Sequence, residues 1–223
     1  MNQLRNYIRQ ILLTEGMKTP TDLPKDIGVE IYTDGKSYAY VGYCVVDKNG
    51  NRVRSLSPGL ETVENTILAR THPQPLPEEF QHPSGIYGTI ALERLSDWGE
   101  PDCAGAFIVV NSVAAKGYGP LIYDVAIEYA SIIGTGLVSD RYSVSLAARD
   151  VYAKYMARDD VDKFQCDDTN NTLTPSDHDN LVMEPGVAKA GDNFIASSLS
   201  KRYSKASTRM KNLERLKKLV ILR

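Results

Sequence analysis

The stretch from Ala106 to Ala157 constrains the fold more than any other part of the chain. Its apolar run, Ala106 to Val110 within CAGAFIVVNSVA, is rich in β-branched residues and reads as a strand buried on both faces. Lys116-Gly117-Tyr118-Gly119 then forms a turn, and Pro120 takes the first helical position, where its missing N–H costs nothing. Leu121, Ile122, Val125, Ala126, Tyr129, Ile132 and Ile133 recur at helical spacing and predict a buried stripe, with Asp124 and Glu128 facing water. Gly134 to Asp140 reads as a short second strand. Ser145 to Met156 reads as a second helix, capped by Ser143 or Ser145, with Leu146, Ala147, Val151, Tyr152 and Tyr155 pointing largely one way.

Chemistry follows from that order. A glycine turn at a helix N-terminus exposes backbone N–H groups, and the helix dipole favours an anion there. Glycine also lets the backbone approach a phosphate closely, and Lys116 adds a charge. The plainer reading of the same residues is a tight strand-to-helix turn with no ligand.

Upstream, Val29, Ile31, Tyr38, Tyr40 and Val41 to Val46 have the composition of strands. Asp34-Gly35 and Asn49-Gly50 mark reversals, so an antiparallel meander opens the sheet. Leu60 to Arg70 has helical spacing, THPQPLPEEFQHPSG is a proline-rich loop, and IYGTIALERL reads as a strand. Trp98 reads as a half-buried anchor.

Two blocks carry a family resemblance. Ala114-Ala115-Lys116-Gly117-Tyr118-Gly119 is similar to (Gln/Arg)-x-x-Gly-x-(Gly/Ala), and Ser145, Ala148 and Tyr152 follow the spacing of Asn-x-x-Ala-x-x-x-Tyr. Both patterns belong to the GNAT family, the acetyl-CoA-dependent N-acetyltransferases, which this chain resembles over roughly Cys103 to Arg158. It departs from them with Ala114 for the first Gln/Arg, Ser145 for Asn, and Ala157-Arg158 for the closing Gly-Phe.

The resemblance implies an α/β fold with a mixed, mostly antiparallel sheet flanked by helices on both faces. It also implies acetyl-CoA as cofactor, its pyrophosphate on Lys116, Gly117, Tyr118 and Gly119, with Ser145 in the same binding set. The sheet is expected to splay so that the backbone of Val109, Val110 and Asn111 aligns the pantetheine arm. Tyr152 is implied as the general acid for the departing thiolate, and Glu93, Asp140 and Asp124 are candidates for the base. The substrate would be a small-molecule or protein amine. Family members that keep the fold without the activity give the alternative, a structural or internal protein.

Residues 1–15 read as a short basic amphipathic helix, with Leu4, Tyr7, Ile8, Ile11 and Leu12 at helical spacing. One reading packs this helix on the domain. The other rests on Leu13-Thr14-Glu15-Gly16, which resembles the site cut by prohead proteases of large tailed phages. That resemblance implies cleavage after Glu15, phage head proteins as partners, and a location inside the virion head or in the host cytoplasm. Residues 16–27 read as a linker, 28–165 as the GNAT-like domain, and 166–223 as an acidic loop and a basic C-terminal helix.

Composition removes other classes. A net charge of −2 predicts no strong field for nucleic acid or acidic membranes, and no apolar run approaches the roughly 18 residues of a membrane span. Cys44, Cys103 and Cys166 are an odd set without C-x-x-C, which argues against disulfides and for a reducing interior. His72, His82 and His178 have no ligand spacing, so no metal site is expected. The Asp167/Asp168 and Asp177/Asp179 clusters read as solvated loop acids. Ser198 to Arg223 holds nine basic residues against Glu214, with Leu199, Met210, Leu213, Leu216, Leu219 and Val220 on one helical face. Such a helix can touch DNA weakly, meet another subunit, or dock on the acidic remainder of the chain.

Overall fold

Alternating burial in the first hairpin sets up the sheet. β1 (Ile27–Thr33) and β2 (Tyr38–Val46) pair antiparallel, so Val29, Ile31, Ala39, Val41 and Tyr43 point to one face and are fully buried. Their turn is held by Asp34, whose Oδ1 accepts the N–H groups of Lys36, Ser37 and Tyr38, while Gly35 takes φ +73°. Asp47 organises the next reversal in the same way, accepting from Asn49 and Asn51 ahead of β3 (Arg52–Ser55). Both turns stand where the sequence expected them.

The computed structural model describes residues 18–56, 88–95, 103, 105–114, 117–140, 144–166, 181–184, 187–190 and 192–223. After β3 come β4 (Gly88–Arg94), β5 (Phe107–Ala114), α1 (Gly119–Ile133), β6 (Leu137–Val138), α2 (Leu146–Ala157) and β7 (Asp162–Gln165). β8 (Leu181–Glu184) and β9 (Val187–Ala190) form a separate hairpin, followed by α3 (Asp192–Ala196), β10 (Lys201–Ser204), α4 (Arg209–Arg215) and β11 (Leu219–Leu222).

The main sheet has nine strands in the order β11-β1-β2-β4-β5-β6-β10-β7, with β3 also on β2. The β1–β11 and β5–β6 ladders are parallel and the other ladders of this sheet are antiparallel among the described residues. The fold is α/β with a mixed, mostly antiparallel sheet. α1, Tyr152 and Tyr155 of α2, and Met210 and Leu213 of α4 share one hydrophobic cluster with the first face of the sheet. Each fully buried large side chain there contributes about 1.5–3 kcal/mol of transfer free energy. A smaller cluster on the second face joins Cys103, Ala106, Val138 and Cys166 with Leu95 and Ile108.

Several expectations are corrected. β5 is not buried on both faces, because Val110 is 51% exposed and the strand outruns its neighbour β6. Asp124 and Glu128 do not face water: the end of α2, the residue after β10 and the start of α4 bring Arg158, Lys205 and Arg209 over that side of α1 and enclose both carboxylates. Ile132 and Leu146, expected inside, are exposed. Cys103, ahead of β5, and Cys166, just after β7, are joined in a disulfide that packs with Ala106 and Val138 on the second face, although β6 and β10 lie between those two strands in the sheet.

The described residues of 166–223 are more than a basic helix, because they supply β10 and β11 to the main sheet. Tyr203 enters the core from β10, which lies between β6 and β7, and β11 lines up beside β1. Two strands of the sheet therefore come from the tail, and α4 covers only seven residues of it. The expected linker 16–27 contains a 3-10 turn at Pro20–Asp22, with Pro20 and Leu23 buried, and β1 starts at Ile27. The expected helices at 1–15 and 60–70, the proline loop, Glu15-Gly16, Trp98, and the Asp167/Asp168 and Asp177/Asp179 clusters lie outside the described residues. No helix among the described residues is long and apolar enough to cross a membrane.

Candidate functional site

β5 and β6 part after two residues. Phe107 pairs with Leu137 and Ile108 with Val138, and β5 then runs on to Ala114 with its other edge held by β4. From Val109 onward, no strand among the described residues pairs with the edge that faces β6. The β4–β5 ladder also shifts register here, with Ala91 opposite Asn111 and Leu92 opposite Val109, so that Val110 is passed over. A bulge of this kind re-aims the backbone locally. Val109, Val110 and Asn111 thus lie where β5 runs on beyond its pairing with β6.

The glycine turn sits beyond the far end of β5. Gly117 has φ +88°, which favours glycine, and Tyr118 is the N-cap of α1 with no side-chain cap bond. The turn is fastened from two sides. Tyr43 Oη donates to the Tyr118 carbonyl at 2.7 Å, with the two rings edge to face, and the Lys18 N–H donates to the Gly117 carbonyl at 3.2 Å. Lys18 Nζ lies 5.8 Å from the centre of the Tyr118 ring. A Cβ added at Gly119 would stand 3.3 Å from Ala114 Cβ, so the helix start packs closely on the strand end. Lys116 lies outside the described residues.

Tyr152, Tyr123 and Ser112 place hydroxyl groups on the elements that flank the opening. Tyr152 is 1% exposed, and its Oη donates to the Val138 carbonyl at 2.9 Å, at the last paired residue of β6. Burial pushes this phenol well above its ordinary value, and Tyr123, Tyr203 and Asp140 add to the rise, so Tyr152 stays protonated. Ser112 Oγ and Tyr123 Oη are 2.9 Å apart and link β5 to α1. Tyr155 Oη is buried without a hydrogen-bond partner. Ser145 Oγ accepts the Ala148 N–H at 3.2 Å and caps α2, which is where the hydroxyl of this expected cofactor residue is spent.

The three carboxylates considered as bases differ in setting. Asp124 is 1% exposed and held by Arg158 at 2.5 and 3.1 Å and by Arg209 at 3.3 Å. Asp140 is half-buried, and its charge acts on Tyr152. Glu93 is exposed on β4, opposite Ile108. Tyr123 and Ser112 were missed by sequence reasoning. Tyr123 stands four residues after Gly119, one helical turn from the glycine motif, and that spacing was the available signal.

No family model matches the chain, and no curated protein or solved structure matches it.

Proposed function

We propose that the chain binds acetyl-CoA in the opening between β5 and β6 and transfers its acetyl group to an amine, on a GNAT-type fold. The observation that carries this reading is the two-residue parallel pairing of β5 with β6, with a glycine turn at the far end of β5. It sits with the two sequence blocks, and the residues fit: the α1 N-terminus offers N–H groups to a pyrophosphate, and a Cβ at Gly119 would crowd Ala114. Acetyl-CoA would supply an activated thioester. The Val109 to Asn111 backbone would align its pantetheine arm. Asp140 or Glu93 would take the amine proton, directly or through water. Tyr152, neutral and hydrogen-bonded to the Val138 carbonyl, would give a proton to the sulfur as the carbon–sulfur bond breaks and the carbon–nitrogen bond forms.

The test is calorimetry and thermal shift with acetyl-CoA against coenzyme A and acetate alone. A rise in melting temperature with saturable binding is expected, and no response at millimolar acetyl-CoA would overturn the reading. A second reading keeps the fold and the ligand without turnover. It is favoured by Tyr152 and Ser145, whose hydroxyls are engaged by Val138 and Ala148. Binding without acetylation of any amine in a broad panel would decide for it.

Packaging in a phage head remains a proposal resting on Leu13-Thr14-Glu15-Gly16. Mature protein beginning at Gly16 in particles supports it, and an intact Met1 there rejects it. A DNA contact of the tail would use its exposed cations, such as Lys211, Arg215 and Lys217, since Lys201 and Lys205 are buried and Arg209 is paired with Asp124.

A further inference from the structure

Five residues stand in direct register across the second face of the sheet. Glu93 of β4 pairs with Ile108 of β5, Ile108 with Val138 of β6, Val138 with Arg202 of β10, and Arg202 with Phe164 of β7. Registered partners project to the same side, so this row crosses the point where β5 and β6 part. Glu93 is on one flank of that point and Arg202 on the other.

Arg202 differs both from the cations that meet carboxylates and from buried Lys201, which donates to Gln165 and the Ile195 carbonyl. Arg52 meets Glu30, Arg158 and Arg209 meet Asp124, and Lys205 meets Glu128. The Arg202 guanidinium instead lies 4.5 Å over the ring of Phe164, and its Nε is buried with no hydrogen-bond partner. No carboxylate among the described residues pairs with it. Stacking on an aromatic ring leaves the planar edge of a guanidinium available, and that edge matches a carboxylate through two parallel hydrogen bonds. Its registered partners Val138 and Phe164 give it apolar neighbours, which suit a delocalised carboxylate better than a doubly charged, strongly hydrated phosphate.

We infer that Arg202, held by Phe164, recognises a carboxylate on the acceptor, so that the substrate is a primary amine carrying a carboxylate nearby, such as a short peptide. The inference rests on the acetyltransferase reading for the role of acceptor. Arg202 is one strand from Val138, about 5 Å between backbones, so the carboxylate end of the acceptor lies on the β10 side of the opening. Arg202 is a specificity residue here and takes no part in bond making.

The experiment uses the full chain with glycylglycylglycine and its C-terminal amide, by calorimetry alone and by acetyl transfer with acetyl-CoA. The free carboxylate should bind roughly tenfold to a hundredfold more tightly than the amide, as charge-assisted pairing with arginine requires. Arg202→Gln should remove this preference through KM with kcat retained, and Arg202→Lys should keep part of it. Equal binding of the two probes to the native protein overturns the inference, whatever the variants do. A preference that persists in folded Arg202→Gln also overturns it. Carboxylate preference without any response to acetyl-CoA upholds the carboxylate site and overturns the enzyme reading instead.

Discussion

Lys205 and Glu128 form an ion pair in which neither side chain is more than 1% exposed. The same carboxylate accepts Thr208 Oγ1 at 2.9 Å and the backbone N–H groups of Arg209 and Met210 at 2.8 Å, closing the N-terminus of α4 against α1. The pair thus locks the tail of the chain to its central helix. Breaking a buried pair leaves one charge uncompensated, so Glu128→Gln and Lys205→Met should each cost about 3–5 kcal/mol in urea unfolding. Glu128→Gln should be the larger loss, because Glu128 also serves the two amides.

The Cys103–Cys166 disulfide closes a loop with a sequence separation of 63. That loop contains β5, α1, β6, α2 and β7, and so most of the frame of the candidate site. Reduction, or Cys103→Ser, should lower stability by about 4 kcal/mol on the chain-entropy account. Burial pushes the remaining thiol, Cys44, up to about 12, with Glu30 adding to the rise and Arg52 opposing it. A thiol reagent should therefore find no reactive cysteine in the folded oxidised chain and one after unfolding.

Tyr152→Phe leaves the Val138 carbonyl without its donor and should cost about 1–2 kcal/mol of stability. If Tyr152 is the proton donor, acetyl transfer should fall by about 10²–10⁴ with acetyl-CoA binding unchanged. Its phenol is raised by burial first, so its ionisation should contribute no alkaline fall in rate below the ordinary tyrosine value of about 10. Loss of binding together with rate would reject the assignment.

Gly117→Ala places a side chain at φ +88°, where an L-residue is strained by about 1–2 kcal/mol. The melting temperature should drop, and acetyl-CoA affinity should fall with it if the turn holds the pyrophosphate. A stability loss with unchanged affinity would separate the turn from ligand binding.

Asp160 tests acid stability. The Arg158 hydrogen bond, ahead of its charge, holds the Asp160 carboxyl below the usual range. A depressed folded value means that its contribution is present above the unfolded value, about 3.9, and lost as pH falls through the folded one. Native protein should therefore lose more stability than Asp160→Asn between pH 5 and pH 2, followed by circular dichroism.

How far the chain could be read depended on the range over which each signal acts. Asp34-Gly35, Pro120 and the Ser145 cap are short-range devices, and each stands in the structure where its own neighbours put it. Asp124 and Glu128 were misplaced because periodicity assigns charged residues to water. Their partners, Arg158, Lys205 and Arg209, come from 34 to 85 residues away by number. The tail misled for a related reason. Four apolar residues such as Leu219–Leu222 satisfy a helical stripe and a strand equally, and only β1, almost two hundred residues earlier, selects the strand.

By itself the sequence determined the α/β class, the opening hairpin, and the run of strand, glycine turn, helix, strand and helix from Phe107 to Ala157. Local sterics and hydrogen bonding suffice for those. Tertiary structure alone decided that β5 and β6 separate after Ile108, that Cys103 meets Cys166, and that Arg202 lies over Phe164 in line with that opening. Each depends on which strands become neighbours, and strand order follows from closing one core with residues drawn from both ends of the chain.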